Sequence, residues 1–317
     1  MSFCEKNRRV IFLLLLPVLL LYCAPKQEPS PSSLPDSGTA VFTDALGRRY
    51  TQNRIPRRIV SLSPAVTEIL FAIGAGDQVA GVTQYCDYPP EARERTSVGG
   101  FAGATMSVER IRALKPDLVI LSADMHARIV ALLDDLEIPS FAVEPRNFSE
   151  VYRVIALVGE LCGAASGAEA VIAEMQAKIA RVKERLDGRP QPSVFWVLSE
   201  QPLMSVGGET FVSEAISLAG GRNIFAAVRE QWPLVSPEQV LLQRPDWVLL
   251  GSDMETAGTL PFLQNPLWQP LSAVREGRTA FVNGDLLYRY GPRLADAVLL
   301  IAEILHVGNR YLATPGG

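Results

Sequence analysis

Residues 107–122, SVERIRALKPDLVILS, and residues 236–252, SPEQVLLQRPDWVLLGS, are two copies of one pattern. Ser107 aligns with Ser236, Glu109 with Glu238, Ile111 with Val240, Pro116 with Pro245 and Asp117 with Asp246. In each copy a serine N-cap, with an acidic residue in the first turn, starts a short helix. A Pro-Asp pair stops it, because proline cannot continue a helix. A bulky apolar run follows, at 118–121 and at 247–250, of the length and composition of a buried parallel strand. A second echo agrees. EILFAIG (68–74) and EAISLAG (214–220) are helix-like runs that end in glycine, each ahead of its copy of the first motif. The chain reads as two lobes of similar α/β design, set against the alternative that helix–Pro-Asp–strand units recur by chance.

Outward from the two copies, strands and helices alternate. Residues 41–50 read as a hairpin turning at 45–47, 58–62 as the first core strand, 63–74 as the helix after it, and 79–83 as the next strand. That strand leads into the loop QYCDYPP (84–90). The first copy is followed by a helix near 126–136 and a strand at 140–143. The second lobe opens with a strand at 193–198 and holds a helix near 211–218. After its copy of the motif come the segment 260–268, a strand at 279–282 and a final helix at 295–306. Such alternation implies parallel, helix-covered sheet.

The middle of the chain differs from both lobes. Residues 147–162 read as one helix and 166–186 as a longer one, with Ser166 and Glu169 as its capping box and Gly188 as its terminator. Ala168, Val171, Ile172, Met175, Ile179, Val182 and Leu186 share one face, while Glu174, Lys178, Arg181 and Arg185 face solvent. At 1.5 Å per residue this helix is about 30 Å long. It suits a stiff connector between lobes; the alternative is an ordinary helix packed on one of them.

Lys6, Arg8 and Arg9 precede an apolar run at 10–22 that is short for a membrane span, and Cys23 follows it. This is an export signal, or, read otherwise, an uncleaved anchor. The Pro- and Ser-rich segment 24–38 has almost no large apolar residues and reads as a tether. The net charge of −4 falls to −6 without residues 1–22, and no basic stripe is present, so nucleic acid is excluded as a partner. Cys86 and Cys162 are expected to be free thiols rather than a disulfide.

Catalytic and metal motifs are missing. There is no phosphate loop, no GxSxG elbow and no histidine or cysteine spacing of a metal site. His306 reads as structural; His126, just past a strand end, could face a cleft. Binding chemistry is better represented. Ligands of open α/β sheets sit outside the carboxyl ends of strands, and there the chain offers Tyr85, Asp87, Tyr88, Phe101, Trp232 and the segment DLLYRYGPR (285–293). Aromatics with polar tips suit a large, partly polar ligand. Each alone could equally be rim packing.

Together with the N-terminal signal, RIVSLSPAVTEILFAIGAG (58–76), GVTQYCDYPPEA (81–92), VERIRALKPDLVI (108–120), WPLVSPEQVL (232–241) and RYGPR (289–293) resemble the helical-backbone substrate-binding proteins of ABC importers, carriers of cobalamin, ferric siderophores or haem. The resemblance covers about residues 58–312. Its 87–92 loop and 232–241 stretch are most similar to the cobalamin-binding branch. It implies an α/β, periplasmic-binding-protein-like architecture: two Rossmann-like lobes with parallel sheets joined by one long rigid helix, and a shallow cleft between the lobes.

Carried over residue by residue, Tyr85 and Tyr88 would face the corrin from the first lobe and Trp232 from the second. Phe101 stands where the cobalamin branch often has tryptophan, and Asp285 with Arg289 matches a polar pair of the last cleft loop. Two departures stand out. Residues 122–126 replace an expected aromatic, and the loop from Phe101 to Glu109 is lengthened. Cys23 is similar to the lipid-modified cysteine of bacterial lipoproteins, although Tyr22 before it is larger than usual. Glu109 and Glu238, matched first-turn residues on two lobes, fit docking to a two-fold permease, and the resemblance implies the same.

The expected division is a signal peptide at 1–22, an anchored tether at 23–39, a first lobe at 40–146, a helical segment at 147–188 and a second lobe at 189–317. The expected role is non-enzymatic capture of a corrinoid for an ABC permease and its ATPase, from a lipid-anchored position on the periplasmic or cell-surface face. No cofactor of the chain's own is expected, the cobalamin or iron complex being cargo. The alternatives are a siderophore or haem receptor of the same family, in which Arg289, Arg293 or a tyrosine meets the ligand, and more remotely a two-lobed metal chelatase.

Overall fold

The computed structural model describes residues 39–100, 105–251 and 264–308. The expected signal, Cys23, the tether up to residue 38 and Phe101 lie outside the described residues.

Strands β1 (Ala40–Thr43) and β2 (Arg49–Gln52) pair as the expected antiparallel hairpin. Next come β3 (Ile59–Ser61), α1 (Pro64–Ala72), β4 (Val79–Val82), β5 (Thr96–Ser97), α2 (Val108–Ala113), β6 (Leu118–Ser122), α3 (Ala123–Asp135) and β7 (Ser140–Val143). Strands β3 to β7 form a parallel sheet in the order β5-β4-β3-β6-β7. Two helices follow, α4 (Phe148–Cys162) and α5 (Ala165–Leu186).

The second half contains β8 (Ser193–Val197), the short pair β9 (Ser199–Glu200) and β10 (Leu203–Met204), α6 (Phe211–Leu218) and β11 (Arg222–Asn223). It continues through α7 (Pro237–Gln243), β12 (Trp247–Gly251), α8 (Ser272–Arg275), β13 (Thr279–Val282), α9 (Asp285–Tyr288) and α10 (Leu294–Val307). Its sheet is also parallel, in the order β11-β8-β12-β13. Leaving out β5, each sheet takes its strands in the same order: second, first, third, fourth. The repeat read in the sequence is therefore a repeat of topology.

The two motif copies fold alike. The Ser107 hydroxyl accepts from the Arg110 amide, and the Ser236 hydroxyl from the Gln239 amide, completing a capping box in the second copy. Each helix stops short of its proline, α2 at Ala113 ahead of Pro116 and α7 at Gln243 ahead of Pro245. The residue before each proline, Lys115 (φ 48°) or Arg244 (φ 46°), takes up left-handed backbone that cannot continue the helix. The aspartates then tie neighbouring strands together. The Asp117 carboxylate accepts from the Arg57 and Arg58 amides at 2.8 and 2.9 Å, and Asp246 accepts from the Ser193 amide at 2.7 Å and its hydroxyl at 2.6 Å. So each Pro-Asp pair ends a helix and sets where the first strand of its sheet begins.

Alternate strand residues face opposite sides. Val60, Val119, Leu121 and Ala142 pack with Ile111 and Ile129 on one side of the first sheet. Phe195, Val197, Val248, Leu250 and Phe281 pack with Val240 and Trp268 on one side of the second. The remaining strand faces, with Ile59, Leu118, Ile120 and Phe141 from one sheet and Val194, Trp196 and Leu249 from the other, join α4, α5 and α10 in one continuous core. The connector helix is thus embedded: Ala168, Met175 and Val182 are buried along it.

Three expectations need correction. The Ser166–Glu169 capping box does not form, because α5 begins at Ala165 with Ala164 as its uncapped N-terminus. Helix α4 is capped by left-handed Gly163 (φ 67°), so only Gly163 and Ala164 separate the two helices and Ser166 falls inside α5. Lys178 does not simply face solvent, since its Nζ bonds Glu174 at 2.9 Å and Asp296 of α10 at 2.7 Å. His126 faces no cleft: it is fully buried in α3, its Nδ1 accepting from the Ser122 amide at 3.2 Å. Cys86 and Cys162 are buried free thiols, and burial pushes the Cys162 thiol up to about 12.

Candidate functional site

In a parallel sheet the segments that follow the strands all leave from one edge, the carboxyl edge. The loop 83–90 follows β4, the segment 224–236 follows β11 and the segment 283–293 follows β13. Helices α2 and α7 run back toward the start of the next strand, so their first turns, with Glu109 and Glu238, lie toward this edge too. Topology alone therefore carries every expected site residue within the described part of the chain to the carboxyl side of its sheet.

Loop 83–90 is pegged by its own cysteine. Buried Cys86 bonds Thr83 through its backbone at 3.1 Å and places its Sγ 3.2 Å from the Thr83 hydroxyl. With that side chain turned inward, Tyr85 is 50% exposed and Tyr88 44% exposed. In the second half the segment 226–235 is zipped onto 203–208. The Ser205 amide reaches the Pro233 carbonyl at 3.1 Å, the Gly207 amide the Gln231 carbonyl at 3.0 Å, and the Gly208 amide the Val228 carbonyl at 2.8 Å. Trp232 projects from this ladder 40% exposed, near exposed Leu234.

Segment 283–293 reaches across to the first half. Arg289 pairs with Asp87 of the tyrosine loop, with Asp285 at 2.9 Å and with Glu68 of α1 at 3.5 Å. The Arg293 guanidinium grips Glu68 through two bonds, its Nε donating to Oε2 at 2.8 Å, and lies 4.0 Å from the centre of the Tyr88 ring. Tyr290 bonds Ser122 at the end of β6 and stacks on Phe211 of α6. Burial pushes the Tyr290 phenol up to about 12.

Burial also pushes the Glu68 carboxyl up, while Arg293 and Arg289 pull it back. At Asp87 partial burial works the same way, but the bond and charge of Arg289 outweigh it and hold the carboxyl below its ordinary value. Burial opposes the charge of Arg289, and the Asp87 bond with the charges of Asp285 and Glu68 more than restores it.

The structure thus brings Asp87, Tyr88, Asp285 and Arg289 into one cluster, and leaves Trp232 on a separate ladder. Two members of the cluster carry more weight than the sequence reading gave them. Arg293 entered it only as an alternative ligand contact, and Glu68 only as part of a helix. The available signal for Glu68 was a lone carboxylate inside the apolar run PAVTEILFA.

Glu109 and Glu238 have matching surroundings. Both are exposed, and each carboxyl is held below its ordinary value by its own backbone amide and by the N-cap serine, Ser107 or Ser236.

Residues 59–285 match the periplasmic binding protein family. The chain is 30% identical over 306 residues to the ABC transporter substrate-binding lipoprotein YvrC of Bacillus subtilis (strain 168), covering 93% of this chain and 95% of that one. Among solved structures, the periplasmic vitamin B12 binding protein BtuF of Vibrio cholerae is similar at a TM-score of 0.68 and 30% identity, over 81% of this chain and 99% of BtuF. The periplasmic heme-binding protein RhuT of Roseiflexus sp. RS-1 is similar at a TM-score of 0.70 and 28% identity, over 79% and 98%. The repeated α/β topology and these likenesses agree: the chain belongs to the periplasmic binding protein family, as a substrate-binding protein of an ABC transporter and not an enzyme.

Proposed function

We propose that the chain captures cobalamin or a related corrinoid between a first lobe (40–146) and a second lobe (189–317), with 147–188 as the helical segment joining them. Tyr85, Tyr88, Trp232, Asp285 and Arg289 face the ligand, with Phe101. Glu109 and Glu238 dock the loaded protein on a permease dimer powered by its ATPase. Residues 1–22 act as the signal, and Cys23 carries the lipid that anchors the tether on the periplasmic or cell-surface face. The chelate is cargo, and the protein needs no cofactor of its own.

The observation that supports this reading is the exposure of Tyr85, Tyr88 and Trp232 on carboxyl-edge loops of two sheets with the same strand order. Large aromatics left in water are a cost to a monomer and an asset against a broad, partly apolar macrocycle. The similarity to a vitamin B12 binding protein points the same way. The likeness to a heme-binding protein favours haem as the second reading, with an exposed tyrosine phenol meeting the iron. Purified protein mixed separately with cyanocobalamin, haemin and a ferric siderophore, then desalted, separates these. Retained red colour from cyanocobalamin alone supports the corrinoid reading; retention of haemin or the siderophore alone overturns it.

A further inference from the structure

Glu68 has the burial of a core residue and the partners of a site residue. It is 2% exposed within the apolar helix α1, where an unpaired carboxylate would be costly. Both of its oxygens are taken up by arginines from the far end of the chain, through the fork of Arg293 and the nearby Nη1 of Arg289. Gly291 lies between these arginines, and a Cβ there would sit 3.3 Å from Glu68 Oε2, so the backbone passes directly over the carboxylate. The outer side of Arg293 covers the Tyr88 ring.

Glu214, which stands at the Glu68 position in the echo, helps decide what this arrangement is for. It too reaches out of its helix, but to the Phe148 amide at 3.0 Å and, among the described residues, to no arginine. The repeated fold accommodates a glutamate at this position without an arginine pair. The pair belongs to the face that carries Tyr88 and Asp87.

We infer that Glu68 is a positioning residue of the binding face, a buried anchor that holds Arg293 against Tyr88 and Arg289 against Asp87, so that ring and guanidinium stand preset before a ligand arrives. This rests on the corrinoid reading for the ligand, but the clasp itself can be tested without one. Phenylglyoxal modification of the ligand-free, full-length protein, read peptide by peptide by mass spectrometry, reports on each arginine. Arg289 and Arg293 should react about tenfold more slowly than Arg93, whose side chain is 70% exposed. In Glu68→Gln both should speed up at least about fivefold while circular dichroism stays native; Glu68→Asp, which keeps the charge, should fall between.

Should Glu68→Gln fail to fold, Gly291→Ala, which crowds the same oxygen, should give the same acceleration. Cyanocobalamin titration adds a coupling test. Glu68→Gln should weaken binding about tenfold alone but less than about threefold in a Tyr88→Ala background, because both changes remove one unit. Fast Arg293 modification in the unaltered protein, rates insensitive to position 68, or fully additive binding losses would each overturn the proposal. No cyanocobalamin binding by the unaltered chain would overturn the corrinoid reading, leaving the modification rates to decide the clasp.

Discussion

Trp232 is held by backbone ladder bonds while its ring stands 40% exposed, so its substitution tests binding more than folding. Covering a large aromatic side chain contributes about 1.5–3 kcal/mol. Trp232→Ala should therefore weaken corrinoid binding by roughly ten- to a hundredfold, with the melting temperature little changed. Unchanged affinity in a titration would return Trp232 to rim packing. At this scale the sequence was readable where chemistry is local. Exposed tyrosines in a loop with two prolines announce themselves, and so does a serine before a helix. Glu68 was not readable, because the partner that explains it lies 225 residues away. His126 misled for the related reason that burial of a residue just past a strand is decided by how the next helix lies, and α3 counts His126 among its buried residues.

The Pro-Asp pairs show how an element borrows stability from its neighbour. Asp246 gathers the amide and hydroxyl of Ser193 at the start of β8, and Asp117 gathers two amides at the approach to β3. Asp246→Ala should cost about 1.5–3 kcal/mol in urea unfolding, the range for hydrogen bonds to a charged group. Ligand affinity should stay close to that of the unaltered chain; a large affinity loss would mean that the strand start reaches the site. Helix starts at Ser107 and Ser236 were legible because capping depends on a few adjacent residues. The Ser166–Glu169 box was a false signal, overruled by the two-residue link, Gly163 and Ala164, that feeds α4 into α5. The left-handed turns at Lys115 and Arg244 were missed, because the following proline in each copy signals only that the helix ends and favours extended backbone before it.

For the whole molecule, the shared core matters more than the length of α5. The inward faces of both sheets, with α4, α5 and α10, form one buried cluster, and parting them would expose apolar surface at about 25 cal/mol per Å². Small-angle scattering profiles with and without ligand should nearly superimpose; marked compaction on binding would refute this. The matched glutamates belong to the same scale. Glu109→Lys with Glu238→Lys should leave fold and ligand affinity nearly intact while abolishing stimulation of a reconstituted importer's ATPase, since reversed charges repel the basic partners that glutamates would recruit. Full transport by this double variant would dismiss the docking role, and lost ligand binding would move both residues to the cleft.

The span between Glu68 and Arg293 also has a consequence in time. A contact that closes so long a stretch of chain pays a high entropy of closure and forms late. Until Arg289 and Arg293 have emerged, the Glu68 carboxylate of α1 lacks these two partners, and the continuous core lacks the face of α10. Every newborn molecule thus passes through a stage in which its first half is made but not settled. Pulsed hydrogen exchange during refolding should find α1 gaining protection together with α10, 225 residues downstream, rather than with its immediate neighbours in the first sheet; early, independent protection of α1 would show that the first half completes itself alone.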